Sequence, residues 1–257
     1  MSCRIYADLG NMTLHWAVYA DGQWLASEHI STGDGLTARC DQSLQNMLER
    51  AGRHAARQCS GGLMCSSSPA QTDALMQALQ SHPKLSLKTV TADMLAHIPT
   101  GYRERSQLGL DRIVNAAAVR EMAVCPAIVA DLGSCITVDL IDAQGALVGG
   151  AIAPGLPVMK AGLKAWTPHL QPALDAMSMP FDWRQPGRTT SECIALGVYT
   201  AVIAVTRQLC TAFAEQAEGA QIILTGGDAA WMHQTTGFGD RVDELLTLKG
   251  LQSLDRY

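Results

Sequence analysis

The chain has 257 residues, of which 47% are hydrophobic and 17% charged, and its formal net charge is −5. This composition is typical of a folded globular protein and excludes a disordered chain. The absence of a dense Lys/Arg run argues against nucleic acid as a main partner, because electrostatic phosphate binding needs a basic face. We find no uninterrupted apolar stretch of the roughly 18 residues that a membrane span needs. Since the first residues also lack a signal-sequence pattern, we expect a cytoplasmic protein with no membrane partner.

In the first half of the chain, apolar runs of strand length alternate with segments of helical periodicity. Two short strands come first and are followed by a helix. A strand with a capped helix, a further strand and a second clear helix complete this half. The predicted ranges are, in chain order, 3–7, 13–19, 36–58, 61–65, 72–79, 85–90 and 111–122.

The second half starts near Cys125-Pro126 and repeats the same mixture. Its strands are predicted at 127–130 and 136–141 and continue to about Ala153, a helix opens at Pro157, and a long helix and a last strand cover 191–216 and 221–225. The Pro-rich segment 166–189 is predicted to be a loop. Alternating strands and helices are typical of an α/β protein with covered sheets. We expect two domains, residues 1–124 and 125–257.

One turn motif occurs in both halves. Asp8-Leu-Gly10 and Asp131-Leu-Gly133 each follow an apolar strand and precede a second one. The glycine lets the backbone approach a ligand and leaves N–H groups available for phosphate oxygens, and Asn11 and Ser134 add side-chain donors. Each aspartate suits a cation that neutralises phosphates, or it stabilises its own turn. Because the whole strand-turn-strand unit is duplicated, a phosphate site is favoured.

The segment 102–112 contains the densest group of side chains suited to catalysis or ligand binding. Asp111 stands at the start of a predicted helix, where a carboxylate serves as an N-cap. The same carboxylate suits a general base that takes a proton from a substrate hydroxyl. Arg112 suits a phosphoryl oxygen or a carboxylate through its planar fork, or a surface ion pair. The residues alone leave these alternatives open.

The remaining candidates are weaker. Gly226-Gly227-Asp228 suits a backbone nest or a nucleoside contact, and an ordinary connection between strand and helix has the same pattern. The glycines of Gly149–Gly155 have the same ambiguity, since they suit close packing within a strand. The eight cysteines and seven histidines show no zinc-site spacing. We therefore expect the cysteines to be small core residues.

Together, five ordered motifs resemble those of the type III pantothenate kinases. The motifs are Asp8-Leu-Gly-Asn-Met12, Gly109-Leu-Asp-Arg112, Asp131-Leu-Gly-Ser-Cys-Ile-Thr-Val-Asp139, Gly149-Gly-Ala-Ile-Ala-Pro-Gly155 and Thr225-Gly-Gly-Asp228. The resemblance implies two duplicated ribonuclease-H-like (actin-like ATPase) domains with an ATP cleft between them, assembled as a homodimer. It also implies phosphorylation of pantothenate to 4'-phosphopantothenate, the first step of coenzyme A biosynthesis. Mg-ATP would be the co-substrate, and a monovalent cation, potassium or ammonium, would be required.

The same resemblance assigns roles to individual residues. Asp111 is expected to be the catalytic base and Asp131 the ligand of the monovalent cation. The expected ATP-binding residues are Asp8, Leu9, Gly10, Asn11, Met12, Thr13, Leu14, His15 and Ser134. Pantothenate is expected to contact Tyr102, Gly109, Leu110, Asp111, Arg112 and Thr190.

Two positions depart from the family pattern. Met12 stands where the family has a threonine, and Ser134-Cys135 replaces Thr-Ala. Losing a hydrogen bond to a charged acceptor costs about 1.5–3 kcal/mol, so Met12 predicts weak ATP binding. The main alternative function is a non-catalytic regulatory accessory protein on the same fold, in which Met12 marks a degraded phosphate loop. A phosphatase or another ATPase would leave the motif Gly109–Arg112 unexplained.

Overall fold

The computed structural model describes residues 3–177 and 184–255. Residues 178–183, part of the expected loop at 166–189, lie outside the described residues. The described chain forms two compact units. The first unit comprises residues 3–124, 145–147 and 245–255, and the second comprises 125–144, 148–177 and 184–244. The domain limits 1–124 and 125–257 stay a prediction. They divide the chain into two duplicated halves of the sequence, whereas the compact units are defined by which residues pack together.

The helices and strands follow one another along the chain as mixed α/β elements. The strands are β1 (Arg4–Leu9), β2 (Thr13–Ala20), β3 (Gln23–Ser31), β4 (Gly61–Ser66), β5 (Ser86–Thr89), β6 (Ala127–Leu132), β7 (Cys135–Ile141), β8 (Leu147–Pro154), β9 (Gln221–Thr225) and β10 (Arg241–Val242). The helices are α1 (Leu36–Ala51), α2 (Arg53–Gln58), α3 (Pro69–Leu79), α4 (Leu110–Glu121), α5 (Leu156–Trp166), α6 (Gln171–Asp175), α7 (Thr190–Ala214), α8 (Ala229–Thr236) and α9 (Leu246–Leu254).

A five-stranded sheet of order β3-β2-β1-β4-β5 forms the centre of the first unit. β1 and β3 pair antiparallel with β2, whereas β1, β4 and β5 run parallel. The hairpin β2–β3 turns at Asp21 and Gly22, whose φ angles are both positive at 53° and 82°. Asp-Gly favours this turn because both central residues of a type I′ turn need positive φ.

Helices cover both faces of this sheet. Alternate residues of β1 and β2 face a core that also contains apolar side chains of α1 and α3. On the opposite face, Tyr6 of β1 donates a hydrogen bond to Asp255 at 3.0 Å, just after α9. Arg4 binds the same carboxylate at 2.8 Å. The C-terminal helix therefore packs on the strand that leads into the first Asp-Leu-Gly turn.

Helices α4 and α9 pack closely in the first unit. A Cβ atom added at Gly250 of α9 would lie 2.1 Å from the carbonyl oxygen of Val114 in α4. Beside this contact, the Thr247 hydroxyl donates to Asn115 Oδ1 at 2.8 Å, and both side chains are buried. Since Asp111 belongs to α4, this packing fixes the helix that presents it.

The second unit contains a sheet of order β10-β9-β6-β7-β8. β6 is antiparallel to β7 and parallel to β9, which is parallel to β10. Apolar side chains of α5, α7 and α8 pack on this sheet. α7 begins with a capping box, in which Thr189 accepts from the Glu192 amide at 3.2 Å and the Glu192 carboxylate accepts from the Thr189 amide.

Among the described residues, α7 has the length and composition of a membrane-spanning helix, and 28% of its most apolar window is buried. The sequence shows no uninterrupted apolar run there, because Thr, Gly and Gln interrupt the run. Core helices of soluble proteins have the same composition, so this is weak evidence for a membrane span. Large apolar side chains elsewhere in the unit are also exposed, among them Ile152 at 63% and Trp166 at 87%.

The predicted α/β class and its two-domain arrangement are confirmed. The predicted helix over 36–58 is in fact two helices separated by Gly52, whose φ is 89°. β3, α8, β10 and α9 were not predicted, and α6 lies within the segment predicted to be a loop.

We predict that Gly250→Ala destabilises the protein, because the new methyl group meets backbone and cannot be accommodated by a rotamer change. Overpacking of this kind costs about 1–3 kcal/mol. Gly162→Ala in α5 is the matched control, since an added Cβ there meets nothing within 4 Å. Urea unfolding checks the prediction. Equal free energies of unfolding for the two variants would show that α4 and α9 are not in close contact.

Candidate active site

The turn between β1 and β2 presents its polar groups outward from a buried base. The side chains of Leu9 and Leu14 are fully buried, whereas Met12 is 46% exposed. The Gly10 amide donates to the Thr13 carbonyl at 2.9 Å and closes the turn. Of the residues predicted to bind ATP, Leu9 and Leu14 therefore anchor the turn in the core. Asn11, Met12 and Thr13 are exposed at its tip.

Two carboxylates of the first unit lie close to one buried thiol. Asp8 of β1 is paired in register with Cys65 of the parallel strand β4. Burial raises the pKa of Cys65 well above its usual value, and the charges of Asp8 and Asp111 raise it further. Asp8 and Asp111 thus converge at the carboxyl ends of β1 and β4. No sequence pattern distinguishes Cys65 from an ordinary apolar strand residue.

Asp111 lies in the first turn of α4 but does not cap it. The N-cap is Gly109, and no side chain hydrogen-bonds there. Oδ1 of Asp111 accepts a hydrogen bond from the Arg112 amide at 2.9 Å. The N-cap interpretation of Asp111 is therefore wrong by two residues. Its carboxylate still lies in the first turn of α4, at the positive end of the helix dipole.

Arg112 is a buried residue with an aromatic partner. Arg112 is only 4% exposed to solvent. Nη1 donates to the Tyr102 hydroxyl at 3.0 Å, and the guanidinium carbon lies 5.4 Å from the Tyr102 ring centroid. This excludes the surface ion pair that was one alternative for Arg112. The structure thus brings Tyr102 together with Arg112 of the motif Gly109–Arg112. Tyr102 and all four residues of the motif are predicted to contact pantothenate.

A histidine stack adjoins Asp8 on the same sheet. His15 of β2 is in register with Asp8 of β1 on one side and His29 of β3 on the other. The His15 and His29 rings stack with centroids 3.6 Å apart. Burial, with a smaller contribution from His29, lowers the pKa of His15 to about 3. The Asp21-Gly22 hairpin signal alone would place Glu28 opposite His15, and an irregularity at Val18/Tyr19 shifts the register by one residue to His29.

The second Asp-Leu-Gly turn is one residue shorter than the first. Leu132 pairs with Ile136 four positions on, whereas Leu9 pairs with Leu14 five positions on. Gly133 donates to the Cys135 carbonyl at 3.1 Å, and Gly155 donates to the Ser134 carbonyl at 2.9 Å. A Cβ at Gly155 would lie 2.1 Å from the Gly133 carbonyl oxygen. The Gly149–Gly155 motif therefore supports the turn that contains Ser134.

The turn after β9 packs against the same place. The Asp228 amide donates to the Leu132 carbonyl at 3.0 Å. Gly226 has a φ of 88°, and a Cβ there would lie 2.4 Å from Asp131 Oδ1. Burial raises the pKa of Asp228, and the charge of Lys160 opposes this shift. Asp131, Ser134 and the turn 226–228 therefore converge at one end of the second sheet.

Thr190 belongs to the second unit, whereas the other predicted pantothenate residues belong to the first. It is exposed in the first turn of α7.

The cysteines are mostly core residues, as expected, with two exceptions. Cys3, Cys40, Cys59, Cys65 and Cys210 are buried, Cys125 is half-buried, and Cys135 and Cys193 are exposed. Within the described residues, no three His, Cys, Asp or Glu side chains form a metal-binding group.

Comparison with known proteins identifies the family. The family model described as type III pantothenate kinase matches residues 4–212. The chain belongs to the type III pantothenate kinase family. The family's reaction is the ATP-dependent phosphorylation of pantothenate in coenzyme A biosynthesis, so the predicted family and enzyme class are confirmed.

Relatives of this family match nearly the whole chain. The type III pantothenate kinase of Dehalococcoides mccartyi is 28% identical over 255 residues, which cover 98% of this chain and 97% of the relative. That of Moorella thermoacetica is 30% identical and covers 93% of this chain and 88% of the relative. A solved structure, the activator of 2-hydroxyisocaproyl-CoA dehydratase from Clostridium difficile with bound ADPNP, has a TM-score of 0.52. It is 14% identical and covers 98% of this chain and 92% of its own. At that identity the likeness shows the fold alone, which is the predicted actin-like ATPase fold.

We predict that His15 makes the protein acid-labile. A pKa lowered to about 3 in the folded state, against about 6.5 in the unfolded state, means that the unfolded chain binds the extra proton between these pH values. His15 therefore destabilises the fold as the pH falls from 6.5 towards 3, by about 2 kcal/mol at pH 5. Above pH 6.5 this effect is absent.

The measurement is the free energy of unfolding at pH 7 and pH 5 for the wild type and for His15→Gln. The variant should lose less stability than the wild type on acidification. His54→Gln, at an exposed position of α2, is the control and should behave as the wild type. An identical loss in all three proteins would contradict the burial of His15.

Proposed function

We propose that this chain transfers the γ-phosphoryl group of Mg-ATP to the 4'-hydroxyl of pantothenate, with Asp111 as the general base. The observation that supports this best is that Asp8 is in register with Cys65 and that the charges of both Asp8 and Asp111 act on the Cys65 thiol. The carboxylate of the first phosphate turn and the carboxylate of the Gly109–Arg112 motif thus act on the same buried group. A base and a phosphate-binding turn at one sheet edge are what phosphoryl transfer to an alcohol needs.

Asp111 is held at the start of α4, where its Oδ1 accepts the Arg112 amide hydrogen bond. A carboxylate held in this way suits a loose phosphoryl transition state, in which positioning and charge stabilisation matter more than early proton removal. The substrate hydroxyl would lose its proton to Asp111 as its oxygen bonds to phosphorus.

The two Asp-Leu-Gly turns would hold the nucleotide. The exposed tip at Asn11–Thr13 offers backbone N–H groups and the Thr13 hydroxyl, and Ser134 offers a second hydroxyl. Leu9 and Leu14 contribute through the backbone only, because their side chains are buried. Asp8 would act on the cation that accompanies the phosphates and not on the phosphates themselves, since like charges repel.

Asp131 would hold the monovalent cation, potassium or ammonium. The residues present fit such an ion. Gly226 packs directly against Asp131 Oδ1 and the Leu132 carbonyl, since an added Cβ would lie 2.4 and 2.7 Å from these two oxygens, and carboxylate and carbonyl oxygens are ligands that hard cations prefer. When bound, the cation supplies positive charge that offsets the nucleotide phosphates. Asp131 would orient it from β6.

Arg112, Tyr102, Gly109 and Leu110 of the first unit would contact pantothenate. The family resemblance implies a pantothenate contact for Thr190 as well. The buried guanidinium of Arg112 offers a planar fork that matches the carboxylate of pantothenate. Tyr102 holds that fork through its hydroxyl and ring. The Tyr102–Arg112 contact would therefore orient the substrate relative to Asp111.

We further propose a cytoplasmic homodimer. Four large apolar side chains of the second unit are exposed, namely Val148, Ile152, Val158 and Trp166. Val148 and Ile152 belong to β8, and Val158 and Trp166 belong to α5, the helix that follows it. Exposed apolar side chains that form a patch mark an interaction site. A second copy of this chain would bury these side chains, as the family resemblance implies.

The alternative function is a regulatory accessory protein that binds these ligands without turnover. Met12 favours it, because a thioether at the exposed tip of the first turn cannot donate to phosphate. The kinase remains the better supported function, since Thr13 offers a hydroxyl at the adjacent position.

We predict that Asp111→Asn lowers kcat by ~10²–10⁴-fold, the usual contribution of a general base. The measurement is pantothenate-dependent ADP release. The Michaelis constant for ATP and the melting temperature should stay close to those of the wild type, because asparagine retains the acceptor for the Arg112 amide. Asp73→Asn, at an exposed position of α3, is the control. Unchanged turnover in Asp111→Asn would remove Asp111 from the mechanism.

We also predict that Met12→Thr lowers the Michaelis constant for ATP by about tenfold or more, because it restores a hydroxyl donor worth about 1.5–3 kcal/mol with a charged acceptor. Met12→Val is the matched control, since valine has the shape of threonine but no hydroxyl. If neither variant shows turnover at saturating ATP, the regulatory function is favoured.

A further inference from the structure

Lys160 lies at the end of the second sheet where the candidate nucleotide residues converge. It belongs to α5, which starts directly after Gly155, and Gly155 donates its hydrogen bond to Ser134. The charge of Lys160 acts on the Asp228 carboxylate of the turn after β9. The turn 226–228 in turn contacts Asp131 and Leu132. Lys160 therefore belongs to the helix that follows Gly155, and its charge acts on the turn that precedes α8.

An aromatic platform holds the Lys160 side chain in place. Its Nζ lies 6.0 Å from the ring centroid of Tyr199 in α7. The Tyr199 ring packs on Trp231 of α8 at 5.0 Å between centroids. Burial raises the pKa of Tyr199, and the nearby charge of Asp228 adds to this effect. A lysine ammonium over a ring face is attracted by the ring quadrupole, which restricts the side chain.

We infer that Lys160 binds the phosphate chain of the nucleotide and that Asp228 and Tyr199 position it for that contact. This inference rests on the proposed use of ATP by the second Asp-Leu-Gly turn. No motif pointed to Lys160, because the Gly149–Gly155 pattern ends five residues before it.

The chemistry of the site favours a lysine at this point. Asp131 and Asp228 place two carboxylates near the turn that would receive the nucleotide, so phosphate oxygens there meet unfavourable charge. A lysine ammonium supplies a compact positive charge with three donors. Before the nucleotide binds, Asp228 balances that charge, and the phosphates then compete for it.

The test uses Lys160→Ala, Lys160→Arg and Lys164→Ala in the full chain. Lys164 is the matched control, because it carries the same charge one turn further along α5 and is exposed. Steady-state kinetics give the Michaelis constants for ATP and for pantothenate. Calorimetric titration with Mg-ADP gives nucleotide affinity without turnover, at low and at high salt.

Lys160→Ala should raise the Michaelis constant for ATP and the Kd of Mg-ADP by about tenfold, the effect of losing one hydrogen bond to a charged acceptor. The Michaelis constant for pantothenate should change less than about twofold. Lys160→Arg should recover part of the affinity, and Lys164→Ala should match the wild type. The affinity of Lys160→Ala should also depend less on salt than that of the wild type.

Two results would overturn the inference. One is nucleotide affinity in Lys160→Ala within about twofold of the wild type. The other is a loss of melting temperature with equal increases in both Michaelis constants and no recovery in Lys160→Arg, which would mean that Lys160 only packs against Tyr199. Failure of the proposed function looks different. In that case the wild type shows no pantothenate-dependent turnover, and the Mg-ADP titration still tests Lys160.

Discussion

Burial of one leucine in each Asp-Leu-Gly turn is the constraint on which the candidate site residues of each unit depend. Leu9 is fully buried and Leu132 is 1% exposed, and each pairs across its hairpin with another buried apolar residue. Because side chains alternate along a strand, a leucine fixed in the core directs the preceding aspartate to the opposite face. The following glycine then starts the turn at a fixed point. Each buried leucine contributes about 1.5–3 kcal/mol to the fold.

The two turns share this anchor but differ in their surroundings. The first turn is one residue longer and has an exposed tip, and its aspartate lies in register with Cys65 and His15. The second is held by backbone contacts to two glycines, Gly155 and Gly226, where no side chain fits. Different surroundings suit different ligands. Amide groups at an exposed tip suit phosphate oxygens, and a carboxylate beside carbonyl groups suits a cation.

In the first unit, a buried arginine and its hydrogen-bond partners form the candidate substrate-binding group. Arg112 is almost fully buried, and it is held by Tyr102 on one side while its own amide binds Asp111. A charged group at such a site is favourable only when it is paired or hydrogen-bonded. The α4–α9 packing at Gly250 supports this arrangement, because it fixes the helix that carries both residues. The C-terminal helix, remote in sequence from Asp111, is thus part of what positions it.

Local patterns in the sequence predict most of the strands and helices that flank the site. The range 221–225 was predicted with the bounds that the structure has, since an apolar run ends there at Gly226-Gly227. Contacts between distant segments could not be predicted in this way. The proximity of Asp8 and Asp111 depends on the parallel pairing of β1 with β4, and Lys160 becomes relevant only through its contact with Tyr199. The N-cap error at Asp111 arose because Gly109, which has no capping side chain, begins the helix.

The most direct test of the account follows the phosphoryl group itself. Purified protein is incubated with γ-labelled ATP, magnesium, potassium and pantothenate, and the label is located in the products. The account predicts that the label appears in 4'-phosphopantothenate and that its release from ATP depends on pantothenate. Label released as inorganic phosphate, or retained in bound ATP at saturating pantothenate, would contradict it.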